Sequence, residues 1–163
     1  MLCPCGSSLP FNACCQPFIT TSLTQKNYPT TPEQLMRSRF SAYAIKDGQY
    51  IFDTYGAAQR LNLSISDIQT WADECIWIAL TIHSTTVNSV DFSAYYVVDN
   101  TLCELREHSN FRLEQGLWRY IDGDISVNQE ITHLTRNDEC PCNNYVTAWS
   151  TKKNKKFKHC CGK

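Results

Sequence analysis

Leu102-Cys-Glu-Leu-Arg-Glu-His-Ser-Asn-Phe-Arg-Leu113, then Glu114-Gln115-Gly116, then Leu117-Trp118-Arg119-Tyr120-Ile121: this stretch decides the fold. Two runs rich in aromatic and aliphatic residues flank a short turn ending in glycine, the pattern of a β-hairpin. Upstream, Ile76 to His83 and Val90 to Val98 have the same texture, and Asn88-Ser89 and Asp99-Asn100 are turn-prone. Four strands joined by short turns predict an antiparallel meander.

Before the strands, the texture is helical. Thr31-Pro32-Glu33 offers a hydroxyl N-cap, proline at the first helical position and an acid in the first turn. Leu35, Met36, Phe40, Tyr43 and Ala44 then recur at helical spacing, and Asp47-Gly48 ends the run. Gln49 to Tyr55 predicts a second, short helix, and Ser64 caps a third over Ile65 to Trp71. Thr20 to Thr31 reads as a loop. Three helices followed by a meander predict an α+β domain, and a strongly bent sheet wrapped over the helices encloses a pocket.

Strand alternation names the pocket walls. Leu105, Glu107, Ser109, Phe111 and Leu113 share one face, and Trp118, Tyr120 and Asp122 share one on the next strand. A carboxylate in phase with apolar residues needs a partner, which Arg37 or Arg39 on the first helix can supply. A structural ion pair is the simpler reading of Glu107, and a ligand or catalytic carboxylate is the sharper one. His83 reads as exposed or hydrogen-bonded, and Cys75 and Cys103 as small core residues. No Gly-rich phosphate loop and no G-x-S-x-G elbow is present.

The remaining eight cysteines lie at the ends: Cys3, Cys5, Cys14 and Cys15, then Cys140, Cys142, Cys160 and Cys161. Ten cysteines in 163 residues, about 6%, is sparse for a disulfide scaffold. No basic n-region and apolar h-region opens the chain, which predicts a cytoplasmic protein, and in a reducing compartment clustered cysteines point to metal. Adjacent pairs such as Cys14-Cys15 bridge only in a strained ring. Four thiolates suit tetrahedral Zn²⁺ and leave no open coordination position, so two structural zinc ions are expected. His159, beside Cys160, is the one rival ligand. No apolar run approaches the twenty or so residues that span a bilayer.

Net charge is −1 overall but uneven. From Asn137 onward, six lysines (Lys152, Lys153, Lys155, Lys156, Lys158, Lys163) oppose Asp138 and Glu139, 6 − 2 = +4. Such a patch suits an anionic partner or offsets the −2 of a four-thiolate zinc site. Lys155, Lys156 and Lys158 are the candidate partner contacts.

Cys140-Pro-Cys142 with Lys155-Lys-Phe-Lys-His-Cys160-Cys161 resembles the SEC-C motif, the zinc-binding tail of the SecA translocation ATPase, and Cys3-Pro-Cys5-Gly-Ser with Cys14-Cys15 resembles a second copy. Leu35-Met-Arg-Ser-Arg-Phe-Ser-Ala-Tyr-Ala and Trp118-Arg-Tyr-Ile-Asp-Gly resemble the middle domain of YchJ-like bacterial proteins. The resemblance implies a cone-shaped NTF2-like barrel, residues 20–136, with zinc knobs at 1–19 and 137–163. The second copy departs from the pattern: Asn143-Asn144 stands where Gly-Ser is usual, and Tyr145 to Asn154 is inserted. Two functions are expected: a docking adaptor on an anionic protein or ribosomal surface, or a small-molecule binder or enzyme using the barrel pocket.

Overall fold

The computed structural model describes residues 1–20, 27–149 and 154–163. Residues 21–26 of the expected loop, and Lys152 and Lys153 of the basic tail, lie outside them. Strands β1 (Ile76–Thr85), β2 (Ser89–Val98), β3 (Thr101–Glu114) and β4 (Leu117–His133) form one antiparallel sheet in chain order. Two-residue turns close the later hairpins. Asp99 and Asn100 (φ 48° and 58°) and Gln115 and Gly116 (φ 51° and 78°) all adopt left-handed backbone, as tight hairpin turns matched to strand twist require.

β4 runs well past Ile121, where the sequence suggested it would stop. Ile121, Ile125, Val127 and Ile131 alternate along it, but most of its later residues are exposed on both faces, Ile125 and Ile131 included, and backbone pairing to the long β3 carries the strand on. Three register shifts, between Leu102 and Cys103, Arg106 and Glu107, and Asn110 and Phe111, bend the pair. That bend curls the sheet over the helices.

The three expected helices are present as α2 (Pro32–Ile45), α3 (Gly48–Asp53) and α5 (Ile65–Glu74), with single turns α1 (Gln16–Ile19) and α4 (Ala57–Arg60) besides. Thr31 Oγ1 accepts from the Gln34 amide at 3.2 Å, Asp47 Oδ1 from Tyr50, and Ser64 Oγ from Asp67, so each helix opens on the cap its sequence offers. Lys46 ends α2 in left-handed backbone at φ 68°. Its ammonium donates to the carbonyls of Ala72 and Cys75 at the end of α5, pinning one helix to the other. Lys46→Met is expected to cost about 1 kcal/mol and lower the melting temperature by about 2–4 °C, measured by thermal unfolding.

Apolar side chains fill both sides of the sheet. On the concave side Leu35, Phe40, Ile51 and Leu80 are fully buried, and Trp77 lies against Phe40, Tyr43, Trp71 and Tyr96. On the convex side Ile78, Val97 and Leu102 pack with Leu134 and Phe157 of the C-terminal segment. Cys75 and Cys103 are buried core residues, and burial pushes the Cys75 thiol up to about 12. No helix among the described residues is long and apolar enough to cross a membrane.

Candidate functional site: two cysteine clusters and a barrel cavity

Each end of the chain gathers its four cysteines. Cys3, Cys5, Cys14 and Cys15 form one group and Cys140, Cys142, Cys160 and Cys161 the other, with all sulfurs of a group within 4.8 Å of one another. The local architecture is the same twice. Gly6 N–H donates to Cys3 O, as Asn143 N–H does to Cys140 O. A 3₁₀ turn starting at Phe11 or Phe157 then carries the adjacent pair, and Cys14 (φ −129°, ψ −95°) and Cys160 (φ −130°, ψ −111°) share one unusual conformation that splays neighbouring sulfurs. Phe-x-x-Cys-Cys is therefore part of the motif.

The sulfur spacing fits a tetrahedral metal. Ligands about 2.3 Å from one ion stand about 3.8 Å apart; Cys5–Cys14 and Cys14–Cys15 measure 3.7 and 3.9 Å, and Cys142–Cys160 and Cys160–Cys161 measure 3.5 and 3.9 Å. Donation from Cys161 draws Cys140 down to about 5, and the same contact pushes Cys161 far up. At the N-terminus Cys15 holds Cys3 far below the thiol range while Cys15 itself is pushed far up. Thiols packed this closely share their charge unevenly, and a dication is what lets all four ionise together. His159 is exposed beside the lysines and belongs to neither group.

Support for the sulfurs comes from nearby polar groups. Ser7 Oγ lies 3.2 Å from Cys14 Sγ and Ser41 Oγ, from α2, 3.6 Å from Cys3 Sγ. Arg37 donates to the Cys5 carbonyl at 3.0 Å and pairs with Glu33 at 2.8 Å. It thus sits against the N-terminal cluster and not in the barrel.

The segment inserted into the second motif ties the molecule together. Tyr145 stacks on Tyr95 at 4.2 Å, Ala148 bridges to Ala79, and Trp149 Nε1 donates to the Trp77 carbonyl. These contacts cover the outer edge of β1. Thr147 reaches further: a Cβ placed on Gly6 would lie 2.4 Å from its carbonyl oxygen. The loop of the first cluster therefore touches the insert of the second.

The barrel cavity, about 100 Å³, lies between α2, α5 and the concave sheet. Arg39, Glu107, Ser109 and Tyr120 line it. Among the described residues Glu107 has no ion pair. Its Oε1 accepts from Ser109 Oγ and from Tyr120 OH, each at 2.7 Å. Arg39 is buried with its guanidinium over the Tyr55 and Tyr120 rings, 4.3 and 4.8 Å from their centroids, and donates to Ile51 O and Thr54 Oγ1. Burial first, then the Glu107 charge, raises Tyr120 well above the usual phenol range, so it stays a donor. Trp118 and Asp122 lie elsewhere. Trp118 lines a separate cavity of about 290 Å³ beside α1 and α3 and donates to Thr30 O, while Asp122 pairs with Asn110 at the surface.

Two contributors carried no sequence signal as site residues. Trp77 lines the barrel cavity, and its indole N–H, itself fully buried, has no hydrogen-bond partner among the described residues. Gly123 makes room for Glu107, since a Cβ there would sit 2.0 Å from Oε1. Alternation identifies neither, because both roles depend on what the opposing strand and helix bring.

Comparison with known proteins agrees with this architecture. A family model described as the YchJ middle NTF2-like domain matches residues 31–123. A UPF0225 protein of Enterobacter sp. (strain 638) is 34% identical over 167 residues, covering 99% of this chain and 97% of that protein. A UPF0225 protein of Actinobacillus succinogenes is 34% identical over 168 residues, covering 99% and 96%. The solution structure of a SEC-C motif containing protein from Rhodopseudomonas palustris matches with TM-score 0.67 and 30% identity, over 76% of this chain and 98% of that one. The crystal structure of a SEC-C motif containing protein from Psychrobacter arcticus matches with TM-score 0.65 and 26% identity, over 99% and 96%. Sheet, helices, cysteine clusters and relatives together place this chain in the YchJ-like UPF0225 family, an NTF2-like middle domain with SEC-C clusters at both ends.

Proposed function

We propose that each cluster holds one structural Zn²⁺ and that the protein is a docking adaptor, its SEC-C knobs seating on an anionic protein or ribosomal surface. Four protein thiolates fill the tetrahedron, so the metal builds the knob and performs no chemistry. The lysine surface beside the second cluster carries the docking reading. Lys155, Lys156, Lys158 and Lys163 line an open groove with Asn154 and His159, and among the described residues no acid is in that lining, although Glu139 pairs with Lys156 by a backbone bridge at its edge. None of these lysines is in an ion pair among the described residues; the ion pairs there use Arg37, Arg106 and Arg112.

Charge magnitudes favour a partner over simple compensation. Six lysines set against Asp138, Glu139 and the −2 of a zinc–thiolate centre leave a local surplus of 6 − 2 − 2, about +2. Exposed like charges within a Debye length, about 8 Å at physiological salt, repel one another and gain when an anionic surface approaches.

Changing Lys155, Lys156 and Lys158 together to Gln is expected to weaken capture of the partner by about tenfold and flatten its dependence on salt. A pull-down from lysate at rising salt reads both, and nuclease treatment separates an RNA surface from a protein one. Capture unchanged in the triple variant assigns the lysines to charge compensation alone and ends the docking reading.

A further inference from the structure

The cavity of about 290 Å³ beside α1 and α3 gathers charges that nothing in the fold pairs. Asp47, Asp53 and Arg119 all line it, yet among the described residues none of the three is in an ion pair. Asp47 Oδ1 accepts from the Tyr50 amide at 2.9 Å and Asp53 Oδ1 from Gln49 Nε2 at 2.8 Å, while Arg119 reaches the Trp118 carbonyl only at 3.5 Å. Arg60, the nearest other cation to Asp53, donates to its backbone carbonyl at 3.3 Å and not to its carboxylate.

The two acids mark the ends of one short helix. Asp47 caps α3 and Asp53 is its last residue, at the negative end of the helix dipole, where a carboxylate is least favoured. Six residues of helix set them about 9 Å apart along the axis. Asp53 is exposed, and Asp47 and Arg119 are half-buried. None of the three has a polar atom that is both fully buried and unpartnered, so a guest meets all of them from solvent.

Size, wall and charge narrow the occupant. A volume of about 290 Å³ is roughly twice the ~150 Å³ that accommodates benzene, and near the small end of ligand pockets, about 300 Å³. Phe18, Tyr28, Tyr50 and Trp118 supply rings to the wall. Tyr50 OH, 2.7 Å from Ser38 Oγ, and Trp118 Nε1, donating to Thr30 O, hold two of them in place. Such rings suit an aliphatic stem with a cationic head. Two carboxylates against one guanidinium sum to −1. A simple anion meets both acids, a diamine leaves Arg119 without an acceptor, and a neutral amino acid leaves one acid unmatched.

We propose that this cavity binds a free basic α-amino acid of the arginine or lysine type, with its carboxylate on Arg119, its α-ammonium on Asp47 and its side-chain cation on Asp53. Such a ligand mirrors the charges of the wall, and its long stem covers the distance between the two ends of α3. This function is separate from docking through the lysines, and substitutions at Lys155, Lys156 and Lys158 leave it unchanged.

The test uses the full metal-loaded chain and L-arginine, with citrulline and agmatine as comparison probes. Citrulline keeps the amino-acid end but replaces the guanidinium by a neutral urea, and agmatine keeps both cations but lacks the carboxylate. In ¹H–¹⁵N spectra the Trp118 indole cross-peak, identified by its loss in Trp118→Phe, should move saturably with L-arginine at a Kd on the order of 1 mM, within the range open to a ligand of about twelve heavy atoms. Citrulline and agmatine should each bind about tenfold more weakly. Asp53→Asn should bring arginine down to the level of citrulline, and Arg119→Gln should bring it down to the level of agmatine, while citrulline binds Asp53→Asn as it binds the parent. The proposal is overturned if the Trp118 cross-peak stays still, if citrulline or agmatine matches arginine on the parent chain, or if Asp53→Asn binds arginine as tightly as the parent does. Should Arg119→Gln fail to fold, Asp53→Asn and the probe comparison decide the matter.

Discussion

Cys5→Ser and Cys142→Ser are each expected to halve the bound zinc, and the two variants should then behave differently. A four-thiolate site contributes on the order of 10 kcal/mol to the fold that holds it. Replacing one thiolate by a hydroxyl removes a ligand that hardly any other group nearby can supply, so the affected cluster loses its ion. In the N-terminal knob Cys3, Pro4, Cys5, Cys15 and Ile19 are buried, and the three cysteines and Ile19 join the concave core beside Leu35 and Met36. Cys5→Ser should unravel residues 1–19 and loosen the face of α2 they cover, while the sheet stays folded.

Loss of the second cluster reaches further. Phe157, Leu134, Cys140 and Cys142 cover Ile78, Val97 and Leu102 on the convex face of the sheet. Each large side chain uncovered there forfeits roughly 1.5–3 kcal/mol. Cys142→Ser should expose that face, so amide exchange rises in β1, β2 and β3, and the barrel itself melts at lower temperature. Elemental analysis gives the zinc count, and hydrogen exchange gives the spread of the damage. Equal, purely local effects in the two variants would contradict this account of the convex core.

Gly6→Ala should separate the two ends of the molecule. The residue sits at φ +75°, which costs an L side chain about 1–2 kcal/mol, and its new Cβ would press on the Thr147 carbonyl at 2.4 Å and its Cβ at 2.9 Å. Backbone does not yield as a side-chain tip does. The insert must lift, straining the Ala79–Ala148 bridge and the 3.3 Å contact between Thr81 and Thr147 hydroxyls. The expected loss is about 2–4 kcal/mol in total, with faster amide exchange at Ala148 and on β1. Zinc content should stay the same, because Gly6 is not a ligand. A substitution that leaves exchange in the insert untouched would remove the proposed bridge between the knobs.

Much of the fold was legible because its signals are local. Thr31-Pro32-Glu33 sets the start of α2 by cap chemistry alone, and Asp99-Asn100 and Gln115-Gly116 tolerate the left-handed backbone that tight hairpins need. The end of β4 was not legible. Its last residues are exposed on both faces and held mainly by backbone pairing to β3, with Gln129 donating to Glu104, and the alternation of Ile125, Val127 and Ile131 faces no buried core that would mark it as sheet.

The same division separates the site residues. The cysteine clusters could be read because ligand type and spacing are sequence properties. Arg37 and Arg39 could not be told apart by counting, yet two positions on a helix differ by about 200° around its axis. That rotation sends Arg37 to the Cys5 carbonyl and Arg39 into the barrel. Glu107 was recognisable as an inward carboxylate, but its partners proved to be hydroxyls, one from its own strand and one from β4. Trp77 had no reading of its own beyond the apolar run Ile76 to His83, and its buried N–H, without an acceptor among the described residues, depends on what surrounds it in the fold.

The central claim is that two metal-built knobs of equal architecture flank the barrel. Elemental analysis of the purified, reduced chain tests it most directly. The account predicts two zinc ions per chain, with all eight terminal cysteines protected from alkylation until a chelator is added and Cys75 and Cys103 protected by burial alone. One zinc per chain, or none with the terminal thiols freely alkylated, would contradict it.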